Sequence, residues 1–179
     1  MIDAPAPRRR RAGRAVPLAL LAVLAAGAAT AGAAKPPPPG TSKLLWATVN
    51  VCDTPDHPDT VGIRGSMPGS GDPAEKMFMR FQLQYFNAQD KRWHNIGPTG
   101  DSGAISVGSS KYRARQTGRN FTVRPPGIGG FQLRGAVTFE WRKGTKVTRR
   151  ARSRTRSGHP GTVGADPVDF SAATCSVTK

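Results

Sequence analysis

The sequence predicts an all-β protein built around one antiparallel sandwich of about seven short strands. Three observations carry this expectation. Polar and apolar residues alternate with period two through "KMFMRFQLQYF" (76–86) and "FQLRGAVTFEW" (131–141). Turn-rich pieces such as "MPGSGDP", "NAQDKR", "RPPGIGG" and "RKGT" punctuate the chain at short intervals. Beyond the N-terminal stretch, no segment sustains a 3.6-residue period.

Residues 1–34 read as an export signal. Arg8–Arg11 and Arg14 supply a basic start, and the apolar run "AVPLALLAVLAAGAATAGAA" follows. Small residues close it, with Ala29-Thr30-Ala31 or Ala31-Gly32-Ala33 as the cleavage site. The alternative is a retained membrane anchor, which the Ala- and Gly-rich composition disfavours. Membrane contact is expected only if this segment is kept. Residues 35–42, "KPPPPGTS", form a stiff Pro-rich linker. The span 43–179 then has the size of one β-sandwich domain.

Within that span the strands follow in order. Leu44–Cys52 and Val61–Met67 come first. In 76–86, Met77, Met79, Phe81, Leu83 and Tyr85 share one face, while Phe78, Arg80, Gln82, Gln84 and Phe86 share the other. Lys111–Arg115 and Phe121–Arg124 are weaker candidates. In 131–141, Phe131, Leu133, Val137, Phe139 and Trp141 alternate with Gln132, Arg134, Thr138 and Glu140. Lys146–Arg156 and Phe170–Val177 complete the set.

The chain has two cysteines, Cys52 and Cys175. In an exported protein a lone, widely spaced pair suggests a disulfide joining the first and last strands. Two buried free thiols are the alternative. Metal binding by this pair alone is not expected.

One segment carries a resemblance. "TVRPPGIGGFQLRGAVTFEW" (122–141) resembles the corner between the fifth and sixth strands of fibronectin type III and related immunoglobulin-like domains. Val123 stands at the apolar position, Pro126-Gly127 at the turn and Phe131 at the aromatic position that opens the next strand. Tyrosine is usual there, and its hydroxyl bonds back to the corner backbone; Phe131 lacks that hydroxyl. The resemblance implies an immunoglobulin-like sandwich, such as occurs in small secreted bacterial proteins of unassigned role. It implies no activity.

Charge bounds the partners. The net charge is +16; the first 34 residues carry five arginines and one aspartate, so the remainder keeps 22 basic and 10 acidic groups, a net +12. Such a surface attracts polyanions. From Arg142 to Arg156 there are eight basic residues and no acidic one. If Lys146–Arg156 is extended, Arg150, Arg152, Arg154 and Arg156 share a face at roughly 6.5–7 Å per step, with Arg149 beside them. This stripe is the candidate binding site for an anionic polymer of the cell envelope; a solvated strand protecting a sheet edge is the alternative. Lys111, Arg113 and Arg115 form a smaller basic group, with Tyr112 and Phe121 nearby. Nucleic acid is not expected as the specific partner. "RGAVTF" (134–139) has Ala136 and Thr138 where the aromatic strand of RNA-recognition domains needs stacking rings.

Two constellations invite chemistry. Gly100-Asp101-Ser102-Gly103 resembles the surroundings of the nucleophile in chymotrypsin-like proteases. Acyl transfer needs a base at the hydroxyl and a group that orients the base. His57 in "DTPDHPD" and His94 in "RWHNI" do not match the protease histidine context, and "PTGDSG" suits a turn. The second is "CDTPDHPDT", with Asp53, Asp56, His57 and Asp59. Carboxylates this close can hold a hard cation, but Pro55 and Pro58 stiffen the segment and the glycine of a calcium loop is missing. A solvated loop is expected. The chain therefore reads as a secreted, non-catalytic binding or structural module without cofactor or metal. A hydrolase using Ser102, or a metal-binding module at Asp53–Asp59, is the alternative.

Overall fold

The computed structural model describes residues 42–124 and 129–178. The expected signal (1–34), nearly all of the linker (35–42) and the Pro126-Gly127 turn lie outside the described residues. The described residues are all-β and antiparallel. Nine strands are present: β1 (Trp46–Thr54), β2 (His57–Pro68), β3 (Lys76–Asn87), β4 (Arg92–Asn95), β5 (Asp101–Ser109), β6 (Ala114–Thr122), β7 (Gly130–Lys143), β8 (Lys146–Arg154) and β9 (Cys175–Thr178).

They form two sheets. The smaller has the order β1-β2-β6. In the larger, β4-β3-β7-β8 lie side by side, β5 also pairs β3, and β9 also pairs β7. The outer strands work in tandem: β5 takes Lys76–Gln82 of β3 and β4 takes Gln84–Asn87. Likewise β8 covers Ala136–Lys143 of β7, and β9 covers Gly130–Leu133.

Alternation places the core. Met77, Met79, Phe81 and Leu83 from β3 are fully buried with Leu133, Val137, Phe139 and Trp141 from β7. They meet Ala47, Val49, Val61, Ile63, Met67 and Phe121 of the smaller sheet in one cluster. Each large side chain so buried contributes roughly 2 kcal/mol. Two glycines let the sheets approach. A Cβ on Gly65 of β2 would stand 3.1 Å from Met79 Sδ and 3.3 Å from Phe81, and one on Gly135 of β7 would stand 2.7 Å from Ile63.

After β8 the chain leaves the larger sheet and lies along β1. Arg156 N–H donates to Ala47 O, Asp166 N–H donates to Asn50 O, and Val49 and Ala172 exchange two bonds. This segment buries Thr48 and Asn50 and protects the β1 edge. It returns to β9, where Cys175 bonds Cys52. The expected disulfide is therefore present.

Several boundaries differ from expectation. Lys111–Arg113 is a turn, and the strand starting at Ala114 absorbs Phe121. The last strand begins only at Cys175, with Phe170–Thr174 outside it. Neither β4 nor β5 was expected, which raises about seven strands to nine.

Candidate anion-binding face

The outward side chains of β3, β7 and β8 make one surface. Register sets its rows: Arg80 and Thr138 pair with Arg152 beyond, and Gln82 and Ala136 pair with Arg154 beyond. The next row holds Phe78, Glu140 and Arg150, and at the other end Arg134 sits between Gln84 and the open edge. Ala136 and Thr138 are small, so the middle of the face is hollow. One hollow is lined by Arg80, Gln82, Thr138, Arg150 and Arg152. A second, sharing Gln82, Thr138 and Arg152, adds Gln84, Arg134 and Arg154. A third carries Arg134, Arg152 and Arg154 around the end of β8 to Arg156.

The predicted stripe thus divides. Arg150, Arg152 and Arg154 face outward on β8, and Arg156 follows just beyond its end. Arg149 does not belong with them. It points to the inner side, where its guanidinium lies 4.7 Å from the Trp141 ring centre and donates to Glu75 at 2.8 Å. The regular alternation of β8 sets it opposite Trp141, and the register shifts only beyond that pair, between Trp141 and Arg142.

The charges of the face are unequally used. Glu140 accepts from Arg142 Nε at 2.9 Å and from Arg150 Nε at 2.8 Å. Burial pushes the Glu140 carboxyl up, but these two arginines outweigh it and hold it below its ordinary range. Asp101 is held down chiefly by its bond from Arg80. Arg80 has Asp101 to itself, whereas Arg142 and Arg150 share the one carboxylate of Glu140. Among the described residues, no carboxylate lies within ion-pair distance of Arg134, Arg152, Arg154 or Arg156.

The sequence marks Arg134 only as an outward residue of its strand. Its guanidinium stacks 4.2 Å from the Trp93 ring centre, and its Nε–H donates to Gln84 Oε1 at 2.9 Å. Burial, then the charge of Arg154, lowers its pKa from the ordinary value. The lowering reports a cation that is partly desolvated and repelled by its neighbour. An anion placed between Arg134 and Arg154 would screen their repulsion and offset the desolvation by pairing. Nothing local in the sequence joins Trp93, Arg134 and Arg154; the β4-β3-β7-β8 order does.

The smaller basic group lies elsewhere. Arg115 stands 4.2 Å and Lys111 5.2 Å from the Tyr112 ring centre, while Phe121 is buried in the core and offers no surface ring.

Ser102 opens β5. Its hydroxyl donates to Gly103 O at 2.8 Å and accepts the Phe81 N–H at 2.9 Å, closing the irregularity between β3 and β5. Asp101 accepts the Gly103 N–H, and Gly103 has a φ of 64°. No histidine of the described residues hydrogen-bonds this serine. Asp53 and Asp59 flank a tight hairpin in which Thr54 pairs His57. Asp53 accepts the Asp59 N–H, while His57 and Thr54 bind Asp166. Among the described residues, no three His, Cys, Asp or Glu side chains converge as metal ligands.

No family model matches the chain, and no curated protein matches it. Among the described residues, no helix is long and apolar enough to cross a membrane.

Proposed function

We propose that the protein is a non-catalytic, immunoglobulin-like module of the cell envelope or its exterior that holds an anionic polymer on the outer face of its larger sheet. The observation that carries this reading is the set Arg134, Arg152, Arg154 and Arg156, which lines two adjoining hollows without a carboxylate partner among the described residues. An unmatched cluster of weakly hydrated, fork-shaped cations suits carboxylate, sulfate or phosphate groups. The strand order supports the immunoglobulin-like class. If β1, β2 and β6 are taken as strands A, B and E, and β3, β7 and β8 as C, F and G, six of the nine strands follow that fold's partition, with no counterpart of strand D among the described residues. A long-range disulfide, typical of oxidising compartments, supports an extracytoplasmic setting.

Titration with dextran sulfate at several salt concentrations tests the reading. Affinity is expected to fall steeply with salt, and the slope is expected to shrink by roughly three when the four arginines become serine. Equal affinity in that variant and the parent defeats the proposal.

A further inference from the structure

We infer that the hollow face is a groove for a single chain of an acidic polysaccharide, lying parallel to the strands. The inference rests on the polyanion reading of the same face and adds which polymer the groove selects.

Its dimensions follow from the sheet. The walls rise from β3 and β8, each one strand away from β7, so their backbones stand roughly 10 Å apart. Ala136 and Thr138 form the floor. Between Arg134 at one end and the Glu140 row at the other, β7 runs six residues, about 20 Å. That width admits one extended chain. A nucleic-acid duplex is too broad to enter.

The walls differ chemically. On the β8 side stand Arg152 and Arg154, both without a carboxylate partner among the described residues. On the β3 side Arg80 is neutralised by Asp101, which leaves Gln82. Gln82 gives one amide N–H to Asp101 at 3.3 Å, which leaves its second N–H and its Oε1, and Thr138 adds a hydroxyl on the floor. The ligand that fits carries anionic groups along one edge and hydroxyls along the other. A polymer of sugar acids has both.

The aromatic groups argue against single-stranded nucleic acid. Base stacking needs free ring faces. The Phe78 ring is capped by Arg142 and the Trp93 ring by Arg134, each at 4.2 Å. Each ring thus has a face occupied by a cation, which leaves less open aromatic surface for a base.

The test measures binding of three probes with equal charge number at one salt concentration: an oligogalacturonate, a single-stranded DNA and a duplex DNA. The oligogalacturonate is expected to bind at least tenfold more tightly than either DNA. Ala136→Phe, which raises the floor from an outward position, is expected to erase that preference while leaving the circular dichroism spectrum unchanged. Gln82→Ala with Thr138→Val is expected to weaken the saccharide alone, by several-fold. If either DNA binds as tightly as the saccharide, or Ala136→Phe leaves the preference intact, the groove inference is overturned while the polyanion reading stands. If none of the three binds, the polyanion reading falls with it.

Discussion

The Arg149 guanidinium donates to a Glu75 oxygen at 2.8 Å, from a strand whose next three arginines point the opposite way. Glu75 is almost fully buried and also accepts the Ser70 and Thr148 hydroxyls, each at 2.6 Å. Removing Arg149 leaves a buried carboxylate with neutral donors only. Because Arg149 is itself partly exposed, Arg149→Ala is expected to cost about 2–3 kcal/mol in urea denaturation, below the full cost of breaking a buried pair. Replacing both partners, as Arg149→Met with Glu75→Leu, is expected to cost less than the single change. A single variant as stable as the parent would show that water replaces the pair.

Acid stability follows from the same residue. Burial pushes the Glu75 carboxyl up, yet the bonds from Ser70, Thr148 and Arg149 leave it below its ordinary 4.5. A carboxyl lowered on folding stabilises fully above its unfolded pKa, and that contribution is lost as pH falls through the folded value. Glu140 and Asp101 are lowered too. His159 is lowered by burial and then by Arg156, so the unfolded chain takes its proton first as pH falls through about 6.5. The thermal midpoint is therefore expected to decline gently below pH 6.5 and steeply below about 4.5. Glu75→Gln is expected to flatten the steep part.

These networks also mark what can be read without coordinates. The alternation in β3 and β7 is legible because one face of each meets the core, so large apolar residues recur at every second position. The stripe Arg150–Arg156 is legible for the same reason. Strand β5, "DSGAISVGS", has few large apolar residues and owes its extension to pairing with β3, which no local pattern encodes. Lys111–Arg113 has strand-like letters, but the chain turns there before pairing with β2. Arg149 is misplaced because it neighbours Arg150 in sequence, although the same alternation that aligns Arg150, Arg152 and Arg154 turns it to the other face. The Trp93–Arg134–Arg154 cluster comes from three strands, so only the sheet order discloses it. Ala136 and Thr138, which argue against base stacking as a sequence, become the floor that makes the face concave.

Trp93 should report on the site. It supports Arg134, whereas Trp46 stacks on His159 and Trp141 is buried beneath Arg149. Saturation with dextran sulfate is expected to change tryptophan emission in the parent and in Trp46→Phe, but not in Trp93→Phe. Trp93→Ala is expected to weaken binding roughly three- to fivefold, the loss of one partly exposed cation–π contact. An unaltered response in Trp93→Phe would move the anion site elsewhere.

The Cys52–Cys175 bridge joins β1 to β9 across 123 residues of sequence. Removing it by Cys52→Ser with Cys175→Ser is expected to cost about 2–5 kcal/mol, the range for native disulfides in small domains. Reductant is expected to lower the denaturation midpoint of the parent and leave that of the double variant unchanged. Equal sensitivity of both proteins to reductant would separate stability from the bridge.

Gly135 supplies the clearest test of how the two sheets interlock. On propensity alone, alanine in a strand interior is better than glycine by roughly 0.5–1 kcal/mol. The packing predicts the opposite sign. A Cβ at Gly135 would lie 2.7 Å from Ile63 Cδ1, 2.9 Å from Ile63 Cγ2 and 2.8 Å from Thr155 Cγ2. Ile63 comes from the facing sheet and is fully buried, so it has little room to retreat. Gly135→Ala is expected to cost about 1–3 kcal/mol as overpacking. Ile63→Val alone is expected to cost about 1 kcal/mol through its lost methyl. Because that methyl is the nearest obstacle, the double variant is expected to be more stable than the sum predicts, by at least roughly 0.5 kcal/mol. Strict additivity in urea denaturation would mean that Ile63 does not fill the space left by Gly135, and that the sheets meet there in some other way.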